Sequence, residues 1–144
     1  ADMAEAKWTY DERRRLFTVC YRGRVSLELF MEARAARRSI GVGYGAVRLL
    51  IDASEADLSE LTADHFKTME STREPELEGR ADRAAGVVGH EADLGIAELW
   101  AFYRNRSVPG STAVFLSRQK ALGWLTAEVG DELQRAGAPA TPGY

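Results

Sequence analysis

Residues 47–62, Val-Arg-Leu-Leu-Ile-Asp-Ala-Ser-Glu-Ala-Asp-Leu-Ser-Glu-Leu-Thr, decide the fold class of this chain. The first part, up to Asp52, is an apolar run typical of a central β-strand. The second part is acidic, carries hydroxyl groups and leads into a helix predicted to begin after Thr62. Because ligands of open α/β sheets bind beyond the carboxyl ends of the parallel strands, this loop is the first candidate for a binding surface.

Strands and helices are predicted on both sides of this stretch. Trp8–Tyr10 and Leu16–Arg22 are rich in aromatic and β-branched residues and predict a hairpin around a short charged turn. Short buried strands are predicted at residues 84–89 and 112–116. Gly41, Gly43 and Gly45 are expected to form a flexible turn before the strand 46–52, since a glycine-rich phosphate loop would follow a strand and open a helix.

The helix starts carry capping residues. Ser26, Thr62 and Ser117 are each predicted to cap the first turn of a helix. The first helix is expected to end near Ser39, and Ile96, Leu99, Trp100 and Tyr103 mark the third helix by their spacing. Phe102 falls off that apolar line. A second subunit, a ligand pocket or the C-terminal segment could cover it, with ordinary core packing as the main alternative.

The element order is therefore β-β-α-β-α-β-α-β-α. It predicts an α/β fold in which an N-terminal β-hairpin feeds a mixed, mainly parallel five-stranded sheet covered by about four helices. Residues 1–126 are expected to form a single domain. Residues 127–144 are expected to be a C-terminal extension that is partly helical or disordered.

Composition narrows the class of protein. The 144 residues include 19 Lys and Arg against 22 Asp and Glu, a net charge of −3 without a basic arm, which argues against nucleic acid. No run approaches the roughly 18 apolar residues of a membrane span, and residues 1–7 lack a signal-peptide pattern. The single Cys20 cannot form an intrachain disulfide and is expected to be a small buried residue in its strand. A cytoplasmic location is expected.

A binding site is predicted where the parallel strands end. Its candidate side chains carry carboxylate, hydroxyl or imidazole groups and come from three loops: Asp52, Ser54, Asp57, Ser59, Glu60, Thr62, His90 and Ser117. Asp52 is expected either to receive donors from a ligand or to satisfy loop amides. The acidic run Asp52, Glu55, Asp57 and Glu60 contains no basic residue, so we expect a partner to recognise it.

Catalytic and metal-binding patterns are incomplete in this chain. Ser54, His90 and Asp52 could be written as a hydrolase triad, but the Gly-x-Ser-x-Gly elbow is absent. His90, Glu91 and Asp93 have no second histidine at a metal-binding spacing. The sequence therefore predicts no cofactor and no metal.

Arginines form the one basic concentration of the chain. Arg13–Arg15, Arg22, Arg24 and the trio Arg34, Arg37 and Arg38 lie in its first 40 residues. They could bind an acidic surface, although arginines at a turn and a helix end usually form a solvated face.

Several stretches resemble the SpoIIAA-like family, relatives of the STAS domain of anti-sigma-factor antagonists. They are Leu50-Ile51-Asp52-Ala53-Ser54, Ser59-Glu60-Leu61-Thr62, Asp93-Leu94-Gly95-Ile96-Ala97, the hairpin with Tyr21-Arg22-Gly23-Arg24-Val25, and Lys120-Ala121-Leu122-Gly123-Trp124-Leu125. The resemblance covers about residues 7–126. It implies a non-enzymatic domain that binds protein partners or, as in CRAL-TRIO-like relatives, an apolar small molecule or lipid.

The resemblance also bears on regulation. STAS antagonists are switched by phosphorylation of a serine in an Asp-Ser-Ser-Gly turn, whereas this chain has Glu60-Leu61-Thr62-Ala63 at that place. Thr62 or Ser59 could accept a phosphate at the helix N-terminus, but nearby carboxylates would oppose it.

The leading hypothesis is thus a non-catalytic regulatory module that binds a protein partner or a second copy of itself. A carrier or sensor of an apolar ligand, held between the second and third helices and the sheet, is the alternative. A small serine hydrolase is the remote one.

Overall fold

An antiparallel hairpin forms one edge of the sheet. In the computed structural model, which describes residues 4–44, 47–71 and 83–127, strand β1 (Glu5–Asp11) pairs with β2 (Leu16–Arg24). The charged turn between them is held by Asp11, whose carboxylate accepts bonds from the N–H and the Nε of Arg14 at 3.2 and 2.9 Å. The hairpin prediction is confirmed, with both strands longer than expected.

Helices and strands then alternate along the chain. The remaining elements are α1 (Leu27–Tyr44), β3 (Arg48–Asp57), α2 (Ala63–Ser71), β4 (Ala84–Val88), α3 (Glu91–Ser107), β5 (Thr112–Phe115) and α4 (Arg118–Leu125). The strands lie in the order β1-β2-β3-β4-β5, and every pair after the hairpin is parallel. The described part of the chain therefore confirms the predicted α/β fold, with five strands and four helices.

All three predicted helix caps are present. The N–H of Leu29 donates to Ser26 Oγ at 3.1 Å, and the N–H of Lys120 donates to Ser117 Oγ at 3.3 Å. Thr62 caps α2 reciprocally with His65: Thr62 Oγ1 accepts from the N–H of His65, and the Thr62 N–H donates to His65 Nδ1, each at 3.2 Å. Each cap satisfies a backbone group that the helix itself leaves open.

The sheet buries apolar side chains on both faces. One face packs against α1, α2 and α3, and its core includes Phe17, Val19, Leu49, Ile51, Phe66 and Trp100. The other face packs against α4, and its core includes Leu16, Leu50, Val87, Phe115, Ala121 and Leu125. Because β3 contributes to both cores, it is the central strand that its apolar sequence predicted.

Helix α1 is longer than predicted. It continues past Ser39 to Tyr44, so Gly41 and Gly43 are helical and do not form the expected turn. A glycine costs a helix interior about 1 kcal/mol relative to alanine, which disfavours a helix without forbidding it. Gly45, the start of the predicted strand at 46 and the predicted extension beyond Ala127 lie outside the described residues.

Strand β3 is also longer than predicted, and it contains a β-bulge. It was expected to give way to a loop after Asp52 but runs to Asp57. Cys20 of β2 lies opposite Asp52, whereas Arg22, two residues on, lies opposite Glu55, three residues on. One extra residue in β3 is therefore accommodated between these pairs.

The bulge exchanges the faces of β3. Ala53 and Ala56 belong to the same buried core although they are three residues apart, a spacing that would put them on opposite faces of a regular strand. Beyond the bulge, Ala56 and Leu58 enter the core. Glu55 remains exposed and Asp57 is only half-buried.

Gly89 allows β4 to end close beside this bulge. A Cβ atom at Gly89 would overlap the carbonyl oxygen of Ser54, a backbone atom that cannot rotate away. Gly123 in α4 is the opposite case, since no heavy atom outside its own helix backbone lies within 4 Å of the position of its Cβ.

We expect Gly89→Ala to lower the free energy of unfolding by about 1–3 kcal/mol, because the backbone of β3 or β4 must move to admit the methyl group. Gly123→Ala is the matched control and should leave stability unchanged or raise it by up to about 1 kcal/mol. Urea unfolding followed by circular dichroism measures both. A Gly89→Ala protein as stable as the parent would contradict the close approach of the two backbones.

Candidate functional site

Asp52 sits at the centre of a polar cluster on the α4 face of the sheet. Its Oδ1 accepts from the hydroxyl of Ser54 at 2.6 Å and from the N–H of Ser54 at 3.0 Å. Its Oδ2 lies 2.9 Å from Nη1 of Arg118, the first residue of α4. The Asp52 side chain is only 13% exposed. Ser54 and Arg118 thus engage both carboxylate oxygens of Asp52.

These contacts keep the Asp52 carboxylate charged. Burial raises the pKa of Asp52, but the two hydrogen bonds from Ser54 and the Arg118 guanidinium outweigh burial, so the pKa of the carboxyl lies below its usual value. The bonded N–H belongs to a residue of the bulge, where an extra residue disrupts the regular ladder. The bond from the Ser54 N–H is one backbone amide that Asp52 satisfies, and a ligand-binding role for Asp52 stays a prediction.

The geometry around Ser54 differs from that of a hydrolase triad. The Ser54 hydroxyl donates directly to Asp52, so no imidazole stands between hydroxyl and carboxylate. His90 is the exposed N-cap residue of α3, and its carbonyl accepts from the N–H of Asp93 at 3.0 Å. Ser54 lies in a strand and not at a strained strand-to-helix turn. The arrangement therefore lacks the order that activates a serine.

The acidic run is paired with arginines of β2. Glu55 lies 3.1 Å from Arg22, and Asp57 lies 3.4 Å from Arg24. The side chains of both pairs are largely exposed to solvent, which screens their attraction, so neither pair contributes much to stability. These ion pairs were not predicted from the sequence because the predicted strand stops at Asp52. A longer β3, in parallel register with β2, would have brought the two arginines beside the two acids.

An open cleft lies where β2 and β3 end and α3 begins. It has a volume of about 370 Å³ and is lined by Gly23, Arg24, Glu55, Ala56, Asp57, His90, Ala92 and Asp93. Two predicted site residues, Asp57 and His90, are therefore brought together here. Asp52, Ser54, Ser59, Glu60, Thr62 and Ser117 are not among the lining residues.

The loop after β3 is ordered by its own side chains. The N–H of Ser59 donates to Asp57 at 2.9 Å. Hydrogen bonds from the hydroxyl and the N–H of Ser59, with Arg24 beside them, hold the pKa of Asp57 below its usual value. Ser59, Glu60 and Thr62 are exposed. Phosphorylation of Ser59 or Thr62 stays a prediction.

Two expectations about exposure were wrong. Cys20 is half-buried and not enclosed, and its sulfur lies 3.7 Å from Arg118. The arginines of α1 do not form a solvated face: Arg37 is 4% exposed and donates to the carbonyl of Val47, while Arg34 is half-buried and donates to that of Met69. Both errors came from treating a strand or helix without the elements that pack on it.

Small voids remain between the sheet and the helices α1, α2 and α3. Two of them enclose about 30 and 40 Å³ and are lined mainly by apolar side chains, including Phe30, Phe66 and Trp100. Pockets that hold small organic ligands usually measure about 300–1,000 Å³. An apolar ligand would have to part the helices to enter these two voids.

Two further properties concern only residues 4–44, 47–71 and 83–127. Their helices include none that is both long enough and apolar enough to cross a membrane. Their His, Cys, Asp and Glu side chains form no group of three or more that could hold a metal ion.

We expect Asp52→Asn to lower the free energy of unfolding at pH 7 by about 0.5–1.5 kcal/mol, because the variant keeps an acceptor for the Ser54 amide but loses the charge beside Arg118. The lowered pKa makes the carboxylate's contribution complete above its usual pKa of 3.8, and it is lost as the pH falls through the folded-state value.

The difference between the parent protein and Asp52→Asn should therefore shrink from pH 7 to about pH 3, as measured by urea unfolding at both values. Glu12→Gln, in the exposed hairpin turn, serves as the control and should change little at either pH. A difference at pH 7 that persists unchanged at the lower pH would show that the Asp52 charge is not what stabilises the cluster.

Comparison with known proteins addresses the fold. The sequence matches no protein-family model and no curated protein. A crystal structure of an uncharacterized protein of the DUF3478 family with a SpoIIAA-like fold, from Shewanella loihica PV-4, has a TM-score of 0.57 at 17% identity, covering 87% of this chain and 97% of that one. An anti-sigma factor antagonist from Mycobacterium paratuberculosis has a TM-score of 0.51 at 13% identity, covering 88% and 97%. This chain is therefore a domain with the SpoIIAA-like fold that the sequence resemblance predicted.

Proposed function

We propose that this protein is a non-catalytic regulatory module that acts by binding a protein partner at the cleft between the ends of β2 and β3 and the start of α3. The observation that carries the proposal is the cleft itself. It is open to solvent, it lies at the carboxyl edge of the parallel strands, and charged side chains from three elements line it.

The charges of the cleft favour a basic partner surface. Glu55, Asp57 and Asp93 line it, against Arg24 as the lining arginine. Glu91 lies between the lining residues His90 and Ala92 in sequence, Glu60 follows Asp57 by three positions, and both glutamates are exposed. Complementary charge of this kind speeds encounter and selects partners, and its effect weakens as salt is added.

The salt bridges support binding by presenting these carboxylates in fixed positions. Arg22 and Arg24 hold Glu55 and Asp57 on the strand, and Ser59 adds a hydrogen bond to Asp57. A surface whose side chains are already ordered loses less conformational entropy on binding.

Two other observations support a non-catalytic role with a protein partner. The Ser54 hydroxyl donates to Asp52 at 2.6 Å and not to a histidine. One solved structure of similar fold is an anti-sigma factor antagonist, a name that describes action on another protein. We also propose a cytoplasmic location, since the single cysteine carries no disulfide.

Charge reversal at the cleft tests the proposal. The parent protein, Glu55→Lys and Glu12→Lys would each be immobilised and used to capture proteins from a lysate of the source organism. Glu12 is the matched control because it is also an exposed glutamate, lies in the hairpin turn, and its reversal changes the net charge by the same amount.

We expect a partner that the parent and Glu12→Lys retain and that Glu55→Lys binds about tenfold more weakly or worse, with affinity falling between about 50 and 500 mM salt. Calorimetry with the purified partner gives these values. Equal affinity for all three proteins would place the binding surface elsewhere and contradict the proposal.

A further inference from the structure

The face of α3 that points away from the sheet carries an apolar patch. Phe102 is 55% exposed and Leu99 is 38% exposed. The Phe102 ring packs edge-on against Tyr103, with 5.3 Å between ring centroids, and the Arg106 guanidinium lies 6.0 Å from its centroid. These contacts steady the ring without covering it.

The same face also contains a gap. Gly95 lies two turns before Phe102 on this face, and no heavy atom outside its own helix backbone lies within 4 Å of the position of its Cβ. The opposite face, which holds Ala97, Trp100, Ala101 and Arg104, is the buried one. A large exposed ring and an empty position therefore share one stripe of the helix.

The stripe is complementary to itself when it is reversed. Gly95 and Phe102 are equally distant from the midpoint between Glu98 and Leu99, and so are Glu91 and Arg106. If a second copy of the helix lies antiparallel about that midpoint, each Phe102 ring meets the gap at the other Gly95. Each Glu91 then meets the Arg106 of the other copy.

Charge and helix dipoles favour the same arrangement. Glu91 lies in the first turn and Arg106 in the last turn of α3, and both are exposed. Two antiparallel helices bring opposite ends of their dipoles together, and the two charged pairs reinforce that alignment. Because the two copies are related by a twofold axis, the Phe102–Gly95 contact and the Glu91–Arg106 pair each occur twice.

We propose that two copies of this chain associate through an antiparallel α3–α3 contact, with Phe102 seated against Gly95 of the partner copy and Glu91 paired with its Arg106. Glu91 also adjoins the proposed partner cleft, but Phe102, Gly95 and Arg106 do not line that cleft, and the dimer contact does not depend on a protein bound there. One helix per subunit buries less than the roughly 1,600 Å² of a standard stable interface, so the dimer is in equilibrium with the monomer.

Sedimentation velocity of the full chain over about 1–200 μM tests the association, since a weak dimer dissociates within that range. We expect the mean mass to rise from monomer towards dimer. Phe102→Ser, which removes an exposed ring, and Gly95→Gln, which fills the gap, should each weaken the dimer about tenfold or more. Leu116→Ser is the matched control, because Leu116 is 43% exposed outside α3, and it should leave the dimer unchanged.

Charge reversal tests the proposed Glu91–Arg106 pairs directly. Glu91→Arg and Arg106→Glu should each weaken the dimer, and the protein that carries both should recover it. Each reversal opposes the helix dipole and so does not stabilise the monomer, which urea unfolding of each variant checks. A dimer recovered in the double variant must therefore come from the restored ion pairs. A chain that stays monomeric at every concentration overturns the proposal. So does a dimer that Phe102→Ser leaves unchanged, that Leu116→Ser weakens equally, or that the double reversal fails to restore.

Discussion

The β-bulge in β3 is the constraint on which the rest of the structure depends. The strand supplies Leu49, Leu50 and Ile51 to the two cores and must then present acidic residues without burying them. In a regular strand, Glu55 and Asp57 would share the face of Ile51 and enter the core below α1, α2 and α3. The extra residue reverses the faces, so Ala56 takes that place and the carboxylates meet Arg22 and Arg24.

Asp52 connects the bulge to the rest of the domain. Its carboxylate satisfies the Ser54 N–H within the bulge and reaches across to Arg118 at the start of α4. The same arginine contacts the sulfur of Cys20 on β2. The Arg118 side chain thus links α4 to the central strand β3 and to its neighbour β2. The acidic sequence that looked like a loop serves two purposes: Asp52 stabilises the fold, and the residues beyond the bulge form the cleft.

Local signals in the sequence predicted most of the fold. Ser26, Thr62 and Ser117 each mark a helix start with a short polar side chain, and the apolar run before Asp52 marks the central strand. These signals depend on residues close together in the chain. The bulge contains no glycine or proline that would indicate it in the sequence, so the predicted strand was too short. The predicted end of α1 was also too early. A glycine disfavours a helix by only about 1 kcal/mol, and the helix continues through Gly41 and Gly43.

The site was harder to predict because its contacts join distant residues. The pair of Asp52 with Arg118 spans 66 positions, and it depends on which face of β3 each residue occupies. A shift of one residue in register reverses every such assignment. Of the eight candidates, Asp52 and Ser54 therefore lie in one cluster and Asp57 and His90 line the exposed cleft, while Ser59, Glu60, Thr62 and Ser117 belong to neither.

The register of β2 and β3 in solution tests this account most directly. Backbone NOEs in a uniformly labelled sample would report which residues lie opposite one another. The account predicts Cys20 opposite Asp52 and Arg22 opposite Glu55, with one extra residue of β3 between them. NOEs that place Arg22 opposite Ser54, in continuous register, would remove the bulge and contradict the origin proposed for the cleft.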